Sequence, residues 1–229
     1  MPIPYPLKRL ALQRTVRLVS SARLRDPVLR TLGDALADLT EIEGATSGRL
    51  MAQETGAQEI GPREFVAGIP HAHFINAAFA YWRPRDLNRF NNEGRGAWYA
   101  ALDVATCLAE VTFHMTRELE RVNDFNAIVD YAEMYASFAG EFIDLRDVTP
   151  APECLNPEPA IGYPAGNLLA DSARALGHNG IIYPSVRHAV DTCLVALFPH
   201  AVQSVAQGDI FRVSWAGTTT PNIEKVLAD

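Results

Sequence analysis

The chain has 229 residues, of which 48% are hydrophobic and 21% charged, so it is long enough to bury a substantial core in one large domain. Its net charge of −7 argues against direct binding of nucleic acid. No apolar run reaches the roughly 20 residues that span a bilayer. Arginines interrupt the early apolar residues, unlike a secretory signal, so we expect a cytoplasmic protein without membrane contact. The three cysteines are widely scattered and predict neither a disulfide framework nor a metal site.

Residues 1–62 are predicted to form an N-terminal helical extension. Apolar side chains among basic ones predict a helix over residues 7–25, and Asp26-Pro27 opens a second helix because proline fits a first helical turn. Residues 1–30 contain Lys8 and six arginines but only one acid, Asp26. Such a basic segment is either a solvated face or a docking surface for an acidic partner. Several glycines then lead into a second unit, which we expect to cover residues 63–229.

The pattern of residues 63–229 predicts a mixed domain. Strands are expected over residues 74–81, 98–102, 127–135, 141–145, 180–183, 193–197 and 210–215. Polar residues 88–97 and proline-rich residues 156–164 are expected to form loops. One helix is expected to follow Asp103, a good N-cap, and another to cover residues 167–176 and to end at Gly177. This order predicts an α+β fold with a mixed, mostly antiparallel central sheet.

Three side chains between residues 88 and 110 are candidate site residues. Arg89 lies in the polar loop, where its guanidinium can present a bidentate fork to a phosphate or remain solvated. Tyr99 lies in a short strand, where its ring can form a platform for a base or a nicotinamide. Glu110 lies on the flank of the buried helix face, so it is either a directional, partly desolvated carboxylate or a boundary residue paired with an arginine.

Ser185 comes directly after a predicted strand, a position that often carries function on a rigid scaffold. The G-x-S-x-G pattern of a hydrolase is lacking around it, which argues against a catalytic triad, and a cap or turn role stays open. His71 and His73 would face one way on a strand, but no carboxylate or cysteine nearby in sequence completes a metal site. We therefore predict no metal.

In combination these residues resemble the RES domain, a family named for its Arg, Glu and Ser. The resemblance covers roughly residues 70–200. The matching stretches are Arg89-Phe90-Asn91, Ala97-Trp98-Tyr99-Ala100, Thr106-Cys107-Leu108-Ala109-Glu110, residues 180–187 and residues 193–198. Family members usually carry another arginine about twenty residues before the position of Arg89, and this chain has none there. His71, His73, Asn76 or Arg63 are the candidates to replace it, and we assign His73 to NAD binding.

The resemblance implies an architecture similar to that of ADP-ribosyltransferases, with NAD bound as a substrate and no metal. It also implies a toxin whose partner is an Xre-type antitoxin protein. Some members of the family degrade NAD by hydrolysis or phosphorolysis. Others transfer ADP-ribose to a protein, and phosphoribosyl pyrophosphate synthetase is one such target.

Within this resemblance each candidate residue receives a role in cleaving the nicotinamide–ribose bond. Glu110 would stabilise the oxocarbenium-like charge on the ribose. Arg89 would bind the pyrophosphate, with Arg187 as a second positive charge. Tyr99 would stack on the nicotinamide, and Ser185 would hydrogen-bond the ribose or the carboxamide and orient Glu110.

Three hypotheses for the function stay open, and the first two differ in the acceptor of ADP-ribose. The basic N-terminus favours transfer of ADP-ribose to a protein, because such a patch steers acidic partners. The alternative in the same chemistry is an NAD glycohydrolase or phosphorylase that depletes cellular NAD. The third hypothesis is a non-catalytic protein that binds a nucleotide in the same pocket.

Overall fold

In the part of the chain that the structure describes, seven β-strands belong to one sheet. The structure is a computed structural model that describes residues 3–20, 60–80, 87–92, 94–188 and 191–226. In chain order the strands are β1 (Leu7–Ser20), β2 (Trp98–Ala101), β3 (Asn126–Asp144), β4 (Gly180–Pro184), β5 (Thr192–Ala196), β6 (Val202–Ala216) and β7 (Asn222–Val226). The sequence predicted neither β7 nor the first half of β6.

The sheet has the order β1-β2-β5-β4-β3-β6-β7, and β1 pairs in addition with β3. All strand pairs are antiparallel except β3–β4, which is parallel. A single register pair, Val16 with Ala101, joins β1 to β2. The pairings β1-β2-β5-β4-β3-β1 therefore run in a circuit, from which β6 and β7 extend. The predicted α+β class with a mostly antiparallel sheet is confirmed.

Three α-helices accompany the sheet within the described residues: α1 (Ala72–Ala80), α2 (Val104–Val122) and α3 (Pro159–Ala175). Asp103 caps α2 as predicted, because its carboxylate accepts a hydrogen bond of 2.8 Å from the Thr106 amide. Gly177 follows α3 with φ +77°, the left-handed conformation expected after a helix. None of these helices has the length and apolar character needed to span a bilayer.

The strands divide the buried side chains between the two faces of the sheet. Along β2, Trp98 and Ala100 join one apolar cluster, which also receives α1. Tyr99 and Ala101 point the other way, toward the cluster that contains residues of α2 and α3. This alternation follows from the two-residue period of a strand. As a consequence, α2 and α3 lie on the same face of the sheet, where their polar residues can meet.

The predicted helix over residues 7–25 is wrong for residues 7–20, which form β1. Its buried residues alternate along the strand, but the register with β3 shifts between Leu12 and Thr15 and breaks the two-residue period. The second predicted helix, from Asp26, lies outside the described residues. The predicted boundary near residue 62 stays a prediction, although β1 belongs to the same sheet as the strands beyond it.

Three other predicted elements differ from the structure. Residues 72–80 form the helix α1 and not a strand, with Ile75 and Phe79 buried one turn apart. The two strands predicted over residues 127–135 and 141–145 are one strand, β3, that runs through Gly140. Helix α3 begins at Pro159, inside the predicted proline-rich loop, because this proline occupies the first helical turn.

Candidate active site

Ser185 and Glu110 meet where the end of β4 faces α2. The Ser185 hydroxyl donates to Oε1 of Glu110 over 3.4 Å. The same hydroxyl oxygen accepts hydrogen bonds from the backbone amides of Arg187 (3.3 Å) and His188 (3.0 Å). Because both amides donate to it, the hydroxyl directs its own proton toward the carboxylate. The sequence predicted both residues as site residues, and the structure brings them together.

Burial controls the electrostatics of Glu110. Removal of the carboxyl from water raises its pKa, whereas Arg187, Arg89 and the Ser185 hydroxyl lower it, and the net shift is upward. The ionised form is therefore costly, and the two guanidinium groups and the Ser185 hydroxyl favour it. A partly desolvated carboxylate beside two cations is an arrangement found at functional sites.

The Arg187 side chain is held between two parts of the fold. Its Nη2 donates to the carbonyl oxygen of Pro157 over 2.8 Å, just before α3. Its guanidinium carbon lies 3.6 Å from the centre of the Phe113 ring, which is one helical turn after Glu110 on α2. These contacts hold the positive charge near the carboxylate.

Arg89 is buried in the turn of residues 88–91, with only 8% of its surface exposed. Its Nη1 donates to the carbonyl oxygens of Cys154 (2.6 Å) and Asn156 (3.0 Å). Its guanidinium also lies 5.3 Å from the centre of the Tyr163 ring on α3. The side chain is thus held in place by α3 and the residues before it, and is not solvated.

Tyr99 contacts the same turn through its hydroxyl group. The hydroxyl oxygen accepts a hydrogen bond of 2.9 Å from the Phe90 amide and donates one of 2.9 Å to Oδ1 of Asn91. Burial raises the pKa of Tyr99, so the phenol stays protonated. The predicted stacking of its ring on nicotinamide stays a prediction.

His73 is not among the residues that these contacts join. It lies on α1, with its ring centre 4.0 Å from that of Phe74. Phe74 packs against the apolar cluster on the face of the sheet opposite to α2 and α3. The predicted contact of His73 with NAD therefore stays a prediction, with no support from the position of α1.

Sequence reasoning missed two residues that hold the site together. Asn91 accepts from Tyr99, and Asn167 of α3 donates to the carbonyl oxygen of Asn88 over 2.7 Å. The only signal for Asn167 was its polar character on the buried side of a helix. Within the described residues, no group of three or more His, Cys, Asp or Glu side chains is arranged to hold a metal ion.

Comparison with known protein families gives one match. The model of the RES domain matches residues 65–216, which are more than half of the chain and include every residue of the site described above. The comparison with curated proteins gave no match.

Proposed function

Because the chain belongs to the RES-domain family, we propose that its site cleaves the nicotinamide–ribose bond of NAD. The family is associated with toxins and with NAD-related activity. The observation that carries the proposal is the contact of Ser185 with the partly desolvated carboxylate of Glu110 beside Arg187 and Arg89. This set combines a negative charge for a developing ribosyl cation with positive charges for a pyrophosphate.

The reaction needs a fixed negative charge more than it needs a proton donor. The bond between C1′ of the ribose and the nicotinamide nitrogen breaks, and its electron pair leaves with nicotinamide, which becomes neutral. The ribose carries the resulting positive charge, as in glycoside cleavage. An ionised Glu110, oriented by the Ser185 hydroxyl, would stabilise that charge. An acceptor oxygen then bonds to C1′ and loses its proton to solvent.

The two arginines would act on the other half of the substrate. Arg89 is buried and oriented by two carbonyl oxygens, so its remaining N–H groups are available for a pyrophosphate. Arg187 would supply a second positive charge close to Glu110. Both arginines also favour the ionised form of Glu110 that the reaction requires.

The contacts of β1 support a small acceptor, water or phosphate. Arg17 donates to the carbonyl oxygen of Tyr99 over 3.2 Å, and Arg14 lies 4.0 Å from the centre of the Tyr135 ring. Arg17 is therefore partly buried and used within the fold, which removes part of the basic patch that favoured a protein acceptor. Transfer to a protein stays the second candidate, because Lys8, Arg9 and Arg14 on the same strand are exposed.

The biological role that fits this chemistry is that of a toxin restrained by an Xre-type antitoxin protein. Consumption of NAD, or modification of a protein with it, harms the cell that makes the enzyme. A protein partner that covers the site is therefore expected. The proposal predicts that expression of the chain alone arrests growth and that Ser185→Ala relieves the arrest.

The test uses NAD labelled in both the nicotinamide and the adenine. Purified protein is incubated with and without cell lysate, and nicotinamide release is measured together with the fate of the adenine label. We expect free ADP-ribose or its phosphate ester, and a loss of at least about tenfold in Ser185→Ala, since one oriented hydrogen bond is removed. Ser172→Ala is the control, because Ser172 is exposed on α3 and its hydroxyl donates to the Leu168 carbonyl.

Each outcome selects one hypothesis. Label in a protein band would select protein transfer over hydrolysis or phosphorolysis. NAD binding without any release of nicotinamide would refute the proposal and identify a nucleotide-binding protein.

A further inference from the structure

We propose that Tyr99 is a positioning residue whose hydroxyl holds the turn of residues 88–91, so that Arg89 is already in place before a phosphate binds. The inference rests on the proposed function for the identity of the ligand, an adenine dinucleotide or its ADP-ribose part. It assigns this function to the hydroxyl group of Tyr99 and not to its ring. The assignment comes from contacts on three sides of the turn.

The first side is the Tyr99 hydroxyl. It accepts a hydrogen bond from the Phe90 amide and donates one to Asn91 Oδ1, each at 2.9 Å, so one group contacts the last two residues of the turn. The Asn88 amide donates to the Asn91 carbonyl over 3.1 Å and completes the turn itself. The Phe90 side chain is fully buried, so water cannot easily replace the tyrosine as a partner of the Phe90 amide.

The second side is α3, which approaches the turn through glycines. A Cβ atom at Gly166 would lie 2.0 Å from the carbonyl oxygen of Arg89, and one at Gly162 would lie 2.8 Å from Arg89 Nη1. The two glycines, one helical turn apart, therefore form the surface on which the turn lies. Asn167, next to Gly166, donates to the Asn88 carbonyl over 2.7 Å and fixes the turn along the helix.

The third side is the segment before α3, which orients the guanidinium. Both hydrogen bonds of Arg89 within the described residues use Nη1, toward the carbonyl oxygens of Cys154 and Asn156. Nη2 and Nε then remain as the pair of donors that a phosphate can accept from in a bidentate manner. Because the side chain is ordered in advance, a ligand does not lose affinity in ordering it.

Tyr99→Phe distinguishes a function of the Tyr99 hydroxyl from a function of its ring. If the ring stacks on nicotinamide, Tyr99→Phe keeps the function. If the hydroxyl holds the turn, Tyr99→Phe leaves the Phe90 amide buried without its partner and lets Arg89 move. The defect then appears in ligand affinity and not in the chemical step.

The first measurement is a steady-state comparison of wild type, Tyr99→Phe and the control Tyr135→Phe. We expect KM for NAD and Kd for ADP-ribose to rise about tenfold in Tyr99→Phe, the effect of one buried hydrogen-bonded group, while kcat falls by at most about threefold. Tyr135→Phe also loses a hydroxyl hydrogen bond, to Glu133, but in another part of the sheet, so its KM should not change. Wild-type constants in Tyr99→Phe, or a loss confined to kcat, would overturn the proposal.

The second measurement is a double-mutant cycle with Arg89→Ala. Since Tyr99 acts through Arg89, Tyr99→Phe should weaken ADP-ribose binding no further in the Arg89→Ala background. Additive losses would mean that the tyrosine contacts the ligand independently, which would also overturn the proposal.

The third measurement does not depend on NAD. Hydrogen exchange of the peptide that contains the Phe90 amide should be faster in Tyr99→Phe than in wild type or Tyr135→Phe. If wild type releases no nicotinamide, the proposed function fails, but the exchange and ADP-ribose binding still test the turn. If wild type is active and Tyr99→Phe matches it in affinity and exchange, the positioning role alone fails.

Discussion

Glu110→Gln separates the charge of this side chain from its shape. The amide oxygen of glutamine can still accept the Ser185 hydroxyl, which lies 3.4 Å from Glu110 Oε1, so the local packing is kept. Only the negative charge is lost. Loss of one preorganised electrostatic contact with a transition state costs about a hundredfold to a thousandfold in kcat, or about 3–4 kcal/mol, and we expect a fall of this size in nicotinamide release.

The stability of Glu110→Gln should not fall with its activity. Burial raises the pKa of Glu110, so the folded state favours the protonated form and is destabilised as the pH rises through that pKa. Glutamine has no such cost. Glu110→Gln should therefore be at least as stable as wild type at pH 8, and the difference should vanish at a pH below the range of an ordinary glutamate.

The assay pairs nicotinamide release with thermal unfolding at pH 3 and pH 8. Glu118→Gln is the matched control, because it lies eight residues further along α2 and pairs with Arg121 over 3.2 Å. Wild-type turnover in Glu110→Gln would remove this residue from the mechanism. A marked loss of stability at pH 8 would show that the carboxylate holds the fold and would refute the argument from burial.

Two other substitutions test the charges around the site, and a third tests an ion pair elsewhere in the fold. Arg187→Ala removes a cation that lowers the pKa of Glu110, so the acid limb of the kcat/KM profile should move to higher pH; an unmoved limb would contradict the pairing. Arg89→Lys should bind ADP-ribose about tenfold or more weakly in a titration, because lysine lacks the planar fork, and wild-type affinity would reassign the phosphate contact. Glu64→Gln breaks the 2.7 Å ion pair with Arg95 and should cost about 1–2 kcal/mol in denaturant unfolding at pH 7. Although burial raises the pKa of Glu64, the Arg95 contact lowers it overall, so this cost should shrink as the pH falls through that pKa, and a constant cost would refute the reasoning.

The candidate residues whose positions the sequence predicted best lie on elements with strong local signals. Helix α2 has a good N-cap in Asp103 and one apolar face, which placed Glu110 on its flank. Strand β4 is a short, fully apolar run, which placed Ser185 at its end. In both cases the local pattern decides the element, and the element decides where the side chain points.

The parts that the sequence could not predict depend on distant contacts. The carbonyl oxygens that hold Arg89 come from residues 65 and 67 positions later, and the register shift in β1 arises only from its pairing with β3. The run that forms α1 is rich in apolar and aromatic residues and has no charged residue, so its period fits a strand and a buried helix equally well. Tertiary packing decides such cases.

Helix α3 shows the same conflict between local preference and tertiary contact. It contains Gly162, Gly166 and an internal Pro164, all of which disfavour a helix. By propensity alone, Gly166→Ala should stabilise the helix by about 1 kcal/mol. The new Cβ would, however, lie 2.0 Å from the carbonyl oxygen of Arg89 and 3.0 Å from its carbonyl carbon, so the backbone of the turn must move.

Overpacking of this kind usually costs about 1–3 kcal/mol, so the clash should exceed the gain in helix propensity. We expect Gly166→Ala to lower the free energy of unfolding and to weaken ADP-ribose binding together, because the atoms that must move belong to Arg89. Gly61→Ala is the control, since its φ of −76° suits alanine and its nearest neighbour would be 3.9 Å away. A stabilised Gly166→Ala with unchanged affinity would mean that the turn can shift without moving the guanidinium, and the close approach of α3 would then have no part in binding.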